Sequence, residues 1–154
     1  MKHLVALLLF ILPAFGFARI GETEQQCSVR YGRPTGTGSD PATGLDMNTY
    51  KKNGFEMYCY FDNGKCVRIT YQKQLKTSAQ AQPVDLTPEE ALSLLKLNAE
   101  GDWKTLRSAF QWSNGDLTAE IDSDAKDLII SSKAYSDAEK AFAKANAAAA
   151  TKGL

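Results

Sequence analysis

Lys52-Asn53-Gly54-Phe55-Glu56-Met57-Tyr58-Cys59-Tyr60-Phe61-Asp62-Asn63-Gly64-Lys65 is the stretch on which the fold turns. Asn-Gly stands near both ends, and both residues tolerate the positive φ that the central positions of a type I′ hairpin turn demand. Two such turns, ten residues apart, spell a three-stranded antiparallel meander. The expected strands are 47–52, 55–61 and 65–72, with Asp62 opposite Lys65 as an opposite-charge pair that supports the register. In this register Phe61 faces Cys66 and Cys59 faces Arg68. Both cysteines then lie on one face, and Tyr58, Tyr60, Val67, Ile69 and Tyr71 lie on the other. Those five residues are the candidate interface, because tyrosine offers a large apolar ring with a polar tip.

Upstream, Glu24 to Tyr31 reads as a helix ended by Gly32 at C′, with Pro34 beyond. It carries Cys27. The diagonal placement of Cys59 and Cys66 separates their Cα atoms by roughly 7–8 Å, outside the usual disulfide span of about 4.4–6.8 Å. A helix-to-sheet bridge from Cys27 to Cys59 or to Cys66 is therefore expected, with one thiol left over. In the chain-entropy account such a bridge stabilises by about 3–4 kcal/mol. A reactive thiol is the less favoured reading, since there is no CxxC and no nearby histidine to lower a thiol pKa.

Gly21, Thr23, Cys27, Gly32 and Pro34 fit the spacing G-x-[ST]-x3-[apolar]-x4-G-x-P, and Phe61-Asp62-Asn63-Gly64-Lys65-Cys66-Val67 follows. Over residues 20–71 the chain resembles the helix-then-sheet unit of the SmpA/OmlA family, small lipoproteins of the outer-membrane β-barrel assembly machinery, and related β-lactamase-inhibitor-protein-like folds. The resemblance implies a non-enzymatic binding or assembly scaffold of the cell envelope. The chain departs from the lipoproteins in lacking the lipobox cysteine, so no stable membrane anchor is expected. Between helix and meander, residues 33–46 read as a surface loop: no Gly-Lys-Ser/Thr follows the glycines, and Pro41 breaks a GxGxxG spacing.

Downstream, Thr77-Ser78-Ala79-Gln80-Ala81-Gln82 with Pro83 reads as a linker over 77–85. From residue 19 to Val84 the chain carries nine basic and six acidic side chains, and from Asp85 onward eight and twelve. Two halves of opposite sign attract weakly through screening salt. Leu86-Thr87-Pro88-Glu89-Glu90 is a helix start: Thr87 caps, Pro88 takes N1, Glu90 closes a capping box and Leu86 staples onto Ala91. Leu94, Leu95 and Asn98 continue its inner face to Gly101. Strands are expected at 105–112 and 116–122 around Asn114-Gly115, pairing Trp112 with Leu117, Phe110 with Ala119 and Ser108 with Ile121, then at 126–132. Ser136 and Glu139 open a final helix carrying Ala138, Ala141, Phe142 and Ala145. The fold class is α+β: two tandem helix-plus-antiparallel-meander units, 19–76 and 86–150, in one small domain with a C-terminal helix.

Lys2 and His3, the apolar run Leu4 to Leu12, Pro13 and then Gly16-Phe17-Ala18 form a secretory signal pattern over 1–18. An exported chain is expected, periplasmic or extracellular. The 18 basic and 18 acidic side chains give no polyelectrolyte field, so nucleic acid is not an expected partner. The single histidine lies in the signal, which removes Ser-His-Asp, Cys-His and HExxH chemistry from the mature chain. Asp116, Glu120, Asp122, Asp124 and Asp127 cluster without the glycine and distal glutamate of an EF-hand, so a solvated face is expected and no metal or cofactor. Trp103, Phe110 and Trp112 read as core before sugar platform. The leading expectation is a soluble, non-catalytic protein–protein interaction module, assembly- or inhibitor-like, with an unknown protein partner. The alternative is a secreted hydrolase using two of the clustered carboxylates.

Overall fold

A computed structural model describes residues 19–75, 82–106, 108, 110–122, 124 and 126–152; the signal pattern and residues 76–81 of the linker region lie outside them. Helix α1, Glu24–Tyr31, begins with a capping box in which Thr23 Oγ1 accepts from the Gln26 amide and the Gln26 side chain accepts from the Thr23 amide. It ends at Gly32, whose φ of 90° suits a residue without Cβ. Strands β1, Gly36–Ser39, β2, Asp46–Lys52, β3, Phe55–Asp62, and β4, Lys65–Leu75, follow. The loop expected over 33–46 thus contains a strand. Its Gly-Thr-Gly-Ser sequence has no hydrophobic alternation to announce it, but backbone pairing with the edge of β2, from Gly36 opposite Thr49 to Ser39 opposite Asp46, needs none.

Both central residues of the two Asn-Gly turns have positive φ, Asn53 at 52° and Gly54 at 82°, Asn63 at 49° and Gly64 at 72°, as type I′ geometry requires. The β3–β4 register holds one surprise. Asp62 faces Lys65 and Phe61 faces Cys66 as expected, but Tyr60 faces Arg68, which leaves Val67 as the extra residue of a β-bulge. Beyond it Cys59 faces Ile69, not Arg68, and every later side chain of β4 changes face. Ile69 and Tyr71 turn inward beside Cys59 and Met57, all four fully buried. Tyr58 and Tyr60 stay outside with Thr70 and Arg68. The expected five-residue face is therefore split in two.

Strand β5, Gln82–Pro83, pairs with the end of β4, and helix α2, Pro88–Asn98, starts with the expected Thr87–Glu90 capping box. It stops at Asn98, before Gly101. Strands β6, Lys104–Thr105, β7, Gln111–Asn114, β8, Leu117–Ile121, and β9, Asp127–Ser132, complete the sheet, and α3, Lys133–Lys152, closes the chain. Three corrections arise here. The strand expected over 105–112 doubles back, Thr105 pairing with Trp112, so Phe110 sits in the bend and is 52% exposed. Asn114 faces Leu117, so the β7–β8 turn is centred on Gly115-Asp116, with positive φ at the glycine alone, a type II′ pattern. Trp112 then faces Ala119; the shift preserves the inward parity and both are buried. Finally α3 starts three residues early, straight from β9, where the Ser132 hydroxyl accepts from the Tyr135 amide.

The two meanders are one antiparallel sheet of order β1-β2-β3-β4-β9-β8-β7-β6, because β9 enters beside β4 with Ile69 opposite Ile130 and Tyr71 opposite Leu128. Among the described residues this is an α+β domain of three helices on an eight-strand path. Residues of α1 and α2 share one core with the inner face, Cys27 and Tyr31 from the first and Ala91, Leu94 and Leu95 from the second. Burying each large apolar side chain there stabilises by about 1.5–3 kcal/mol. Asn98 Nδ2 donates to the Tyr71 hydroxyl at 3.0 Å and to the Leu94 carbonyl, tying α2 to β4 across the two halves.

Candidate binding face

Pleating places Glu56, Tyr58 and Tyr60 of β3, Arg68, Thr70 and Gln72 of β4, and Asp127, Ile129 and Ser131 of β9 on the outer face of the sheet. One end of that face is covered. There α3 lays Tyr135 against Tyr60, with ring centres 5.9 Å apart in an edge-to-face arrangement, and the Arg68 guanidinium lies 5.3 Å from the Tyr60 ring and 4.5 Å from the Tyr135 ring. The Tyr135 hydroxyl donates to Asp40 Oδ2 at 2.8 Å, and Asp40 also accepts from the Thr43 hydroxyl and the Ala42 amide. Burial opposes ionisation of Asp40, but these donors outweigh it and hold its carboxyl below the usual range. Phe142 meets the same β1–β2 loop at Gly44, where a Cβ would stand 3.1 Å from the ring.

The other end is open. Met47, Tyr58, Thr70, Gln72, Asp127 and Ile129 line a groove of about 360 Å³ that runs up to Arg68. A smaller depression of about 260 Å³ continues past Ile129 towards Leu106, Gln111 and Glu120. Asp127 accepts from Gln72 Nε2 at 2.9 Å; burial raises its pKa, with the charge of Asp122 adding to the rise against that hydrogen bond. Burial likewise lifts Tyr58 and Tyr60, so both present neutral hydroxyls.

No family model, curated protein or solved structure matches the chain. Its chemistry rests on these side chains. Aromatic rings, a guanidinium beside two of them, amides and one carboxylate in each depression suit stacking and charge-assisted hydrogen bonding to a ligand that lies across strands. Of the five interface candidates, Tyr58 and Tyr60 belong to this face, Ile69 and Tyr71 are core, and Val67 is buried at the bulge. Arg68, Thr70, Asp127 and Ile129 join the face unannounced. Only the bulge, which no local pattern marks, would have revealed the first two, and only the β4–β9 pairing the others.

The three cysteines meet on the inner face. Cys27 from α1, Cys59 from β3 and Cys66 from β4 are all fully buried, with free thiols. Hydrogen bonds from Cys59 and then Cys66 favour the thiolate of Cys27 and lower its pKa to about 4, while the Cys27 contact raises Cys59 and burial raises Cys66. The Arg68 carbonyl, 3.4 Å from Cys66 Sγ, is an alternative acceptor for the one Cys66 thiol proton. Of the aromatic trio, Trp112 is core and Trp103 is half-buried, its Nε1 donating to the Leu95 carbonyl at 2.9 Å, whereas Phe110 is not core. In the acidic cluster Asp122 Oδ1 accepts from the amides of Lys126 and Asp127, a turn-stabilising use. Among the described residues there is no group of three or more His, Cys, Asp or Glu placed to hold a metal ion, and no helix long and apolar enough to cross a membrane.

Proposed function

We propose that the chain is an exported, non-catalytic protein-binding module, assembly- or inhibitor-like, that engages a protein partner through the outer face of its sheet. The observation that carries this reading is the open groove in which Tyr58 and Ile129 stand half-exposed while α1 and α2 pack with the opposite face. A sheet face with aromatic, aliphatic and charged side chains at alternating positions has the composition of a protein interface. The resemblance of residues 20–71 to the SmpA/OmlA family and to β-lactamase-inhibitor-protein-like folds agrees with a scaffold of this kind, working without cofactor, nucleic acid or stable membrane anchor. The test is cross-linking capture from envelope and culture fluid with the wild type and with a Tyr58→Ala, Ile129→Ser variant. The expected result is a specific partner that the variant loses while its near-ultraviolet circular dichroism is retained. Equal capture by both would move the interface off this face.

A further inference from the structure

Arg68 is the only cation among the described residues that line the groove, and no salt bridge joins it to a carboxylate. The Arg68 charge acts on Asp40, but the Asp40 carboxyl is already hydrogen-bonded by Thr43, Ala42 and Tyr135 and makes no salt bridge to it. The guanidinium is oriented instead by two tyrosine rings, and its Nε is buried without an acceptor. Its ordering entropy has been spent in folding, which favours a ligand that supplies an acceptor to the remaining guanidinium nitrogens. At the other end of the groove the charge is reversed. Asp127 stands opposite Gln72 on the neighbouring strand, and Glu56 lies on the far side of Gln72. Glu56 is satisfied by Lys51 at 3.2 Å, whereas Asp127 accepts from the uncharged Gln72 amide and makes no salt bridge, with the Lys126 charge acting on it only at longer range.

Arg68 and Gln72 are four residues apart on one strand, so the cationic and anionic ends of the groove are separated by roughly 13 Å. An extended chain covers that distance in four residues, and an even spacing puts both side chains on the same side. Between the poles Tyr58 and Ile129 offer apolar contact for the side chain midway. Resting on the reading of the outer face as an interface, we propose that the partner lays an extended segment in this groove with an acidic side chain on Arg68 and a basic side chain, four residues away, on Asp127. The partner is thus a protein exposing a strand or extended loop with an acid-x-x-x-base or base-x-x-x-acid pattern, since either chain direction satisfies both poles.

Two blocked peptides of equal composition test this, Glu-Thr-Val-Thr-Lys and Glu-Thr-Val-Lys-Thr, titrated into the purified protein while the Tyr58, Tyr60 and Ile129 resonances are followed by NMR. The first puts its charges on one side; the second puts them on opposite sides. The four-spaced peptide is expected to bind about fivefold more tightly, the equivalent of one well-formed charge pair at a surface groove. Asp127→Asn, which leaves the α3 contacts alone, should remove that preference, as should Arg68→Gln, and Arg68→Lys should keep part of it. Equal binding of the two isomers would overturn the charge pairing while leaving the face as an interface. Absence of shifts at saturating peptide would also overturn it, and the capture experiment with Tyr58 and Ile129 would still decide the broader reading.

Discussion

The Tyr135 hydroxyl reaches Asp40 at 2.8 Å across 95 residues of sequence, and it latches the C-terminal helix onto the β1–β2 loop. Both groups are buried, at 3% and 7% exposure, so the bond is charge-assisted and shielded from water. Tyr135→Phe should cost about 2 kcal/mol near neutral pH. The pH dependence has a definite sign. Asp40 ionises more readily folded than unfolded, so its contribution is present above the ordinary value of 3.8 and is lost as pH falls through the lowered folded value. Urea midpoints for the two proteins should therefore converge as pH drops from about 5 to about 2. A gap that stays constant with pH would mean that the bond draws nothing from the Asp40 charge.

Val67 is the whole difference between the expected and the observed face of β4. Deleting it leaves Cys66 opposite Phe61 and joins Arg68 directly to it, opposite Tyr60, which is ordinary hairpin alternation. The deletion should preserve Cys59 opposite Ile69 and lose only the buried valine, about 2 kcal/mol. Cross-strand nuclear Overhauser contacts between Cys59 and Ile69 report the register. Their replacement by Cys59–Thr70 contacts would mean that the bulge, and not the two turns, pins the strands.

Much of the fold was legible because its signals are local. Asn53-Gly54, Asn63-Gly64 and Thr87-Pro88-Glu89-Glu90 act through the φ values and capping bonds of a few neighbouring residues, and each delivers the expected turn or helix start. The site was legible only in part because it depends on non-local choices. A bulge at Val67, the swing of Thr105 back onto Trp112 and the entry of β9 beside β4 are settled by how strands pair with one another, which no local pattern encodes. Asn114-Gly115 shows the boundary between these regimes: the glycine supplies the positive φ, and the hairpin moves by one residue to use Asp116 instead of Asn114.

Two capping boxes open the helices that seal the inner face, one built on Thr23 and one on Thr87. Thr23→Ala and Thr87→Ala should each cost about 1 kcal/mol. The helices cap opposite halves of one cooperative core, so the double variant should lose the sum to within a few tenths of a kcal/mol. Guanidinium denaturation followed by far-ultraviolet circular dichroism measures all three, and a large shortfall from additivity would reveal coupling between α1 and α2.

The thiol cluster makes a prediction for the reduced protein. Because Cys59 is the first donor stabilising the Cys27 thiolate, Cys59→Val should raise the Cys27 pKa from about 4 towards that of an ordinary thiol. Thiolate absorbance in the ultraviolet near pH 7 should disappear with it. All three sulfurs are fully buried, so native alkylation should be slow for wild type and rapid only in denaturant. Rapid native labelling of Cys27 would mean that α1 opens without global unfolding.

Ile69 and Tyr71 bury themselves against β9 and α2, which lie in the other half of the chain. The first helix-plus-meander unit, cut after Leu75, would expose both side chains along β4 and leave the Tyr71 hydroxyl without Asn98. The expected outcome is that a fragment of residues 19–75 shows no cooperative unfolding transition alone. Mixing it with residues 82–152 should restore a near-ultraviolet signal from Trp112, whose burial beside Ala119 depends on the closed sheet. A fragment that folds cooperatively without its complement would make the two units independent domains, and the outer face would then be a junction between them instead of the surface of one sheet.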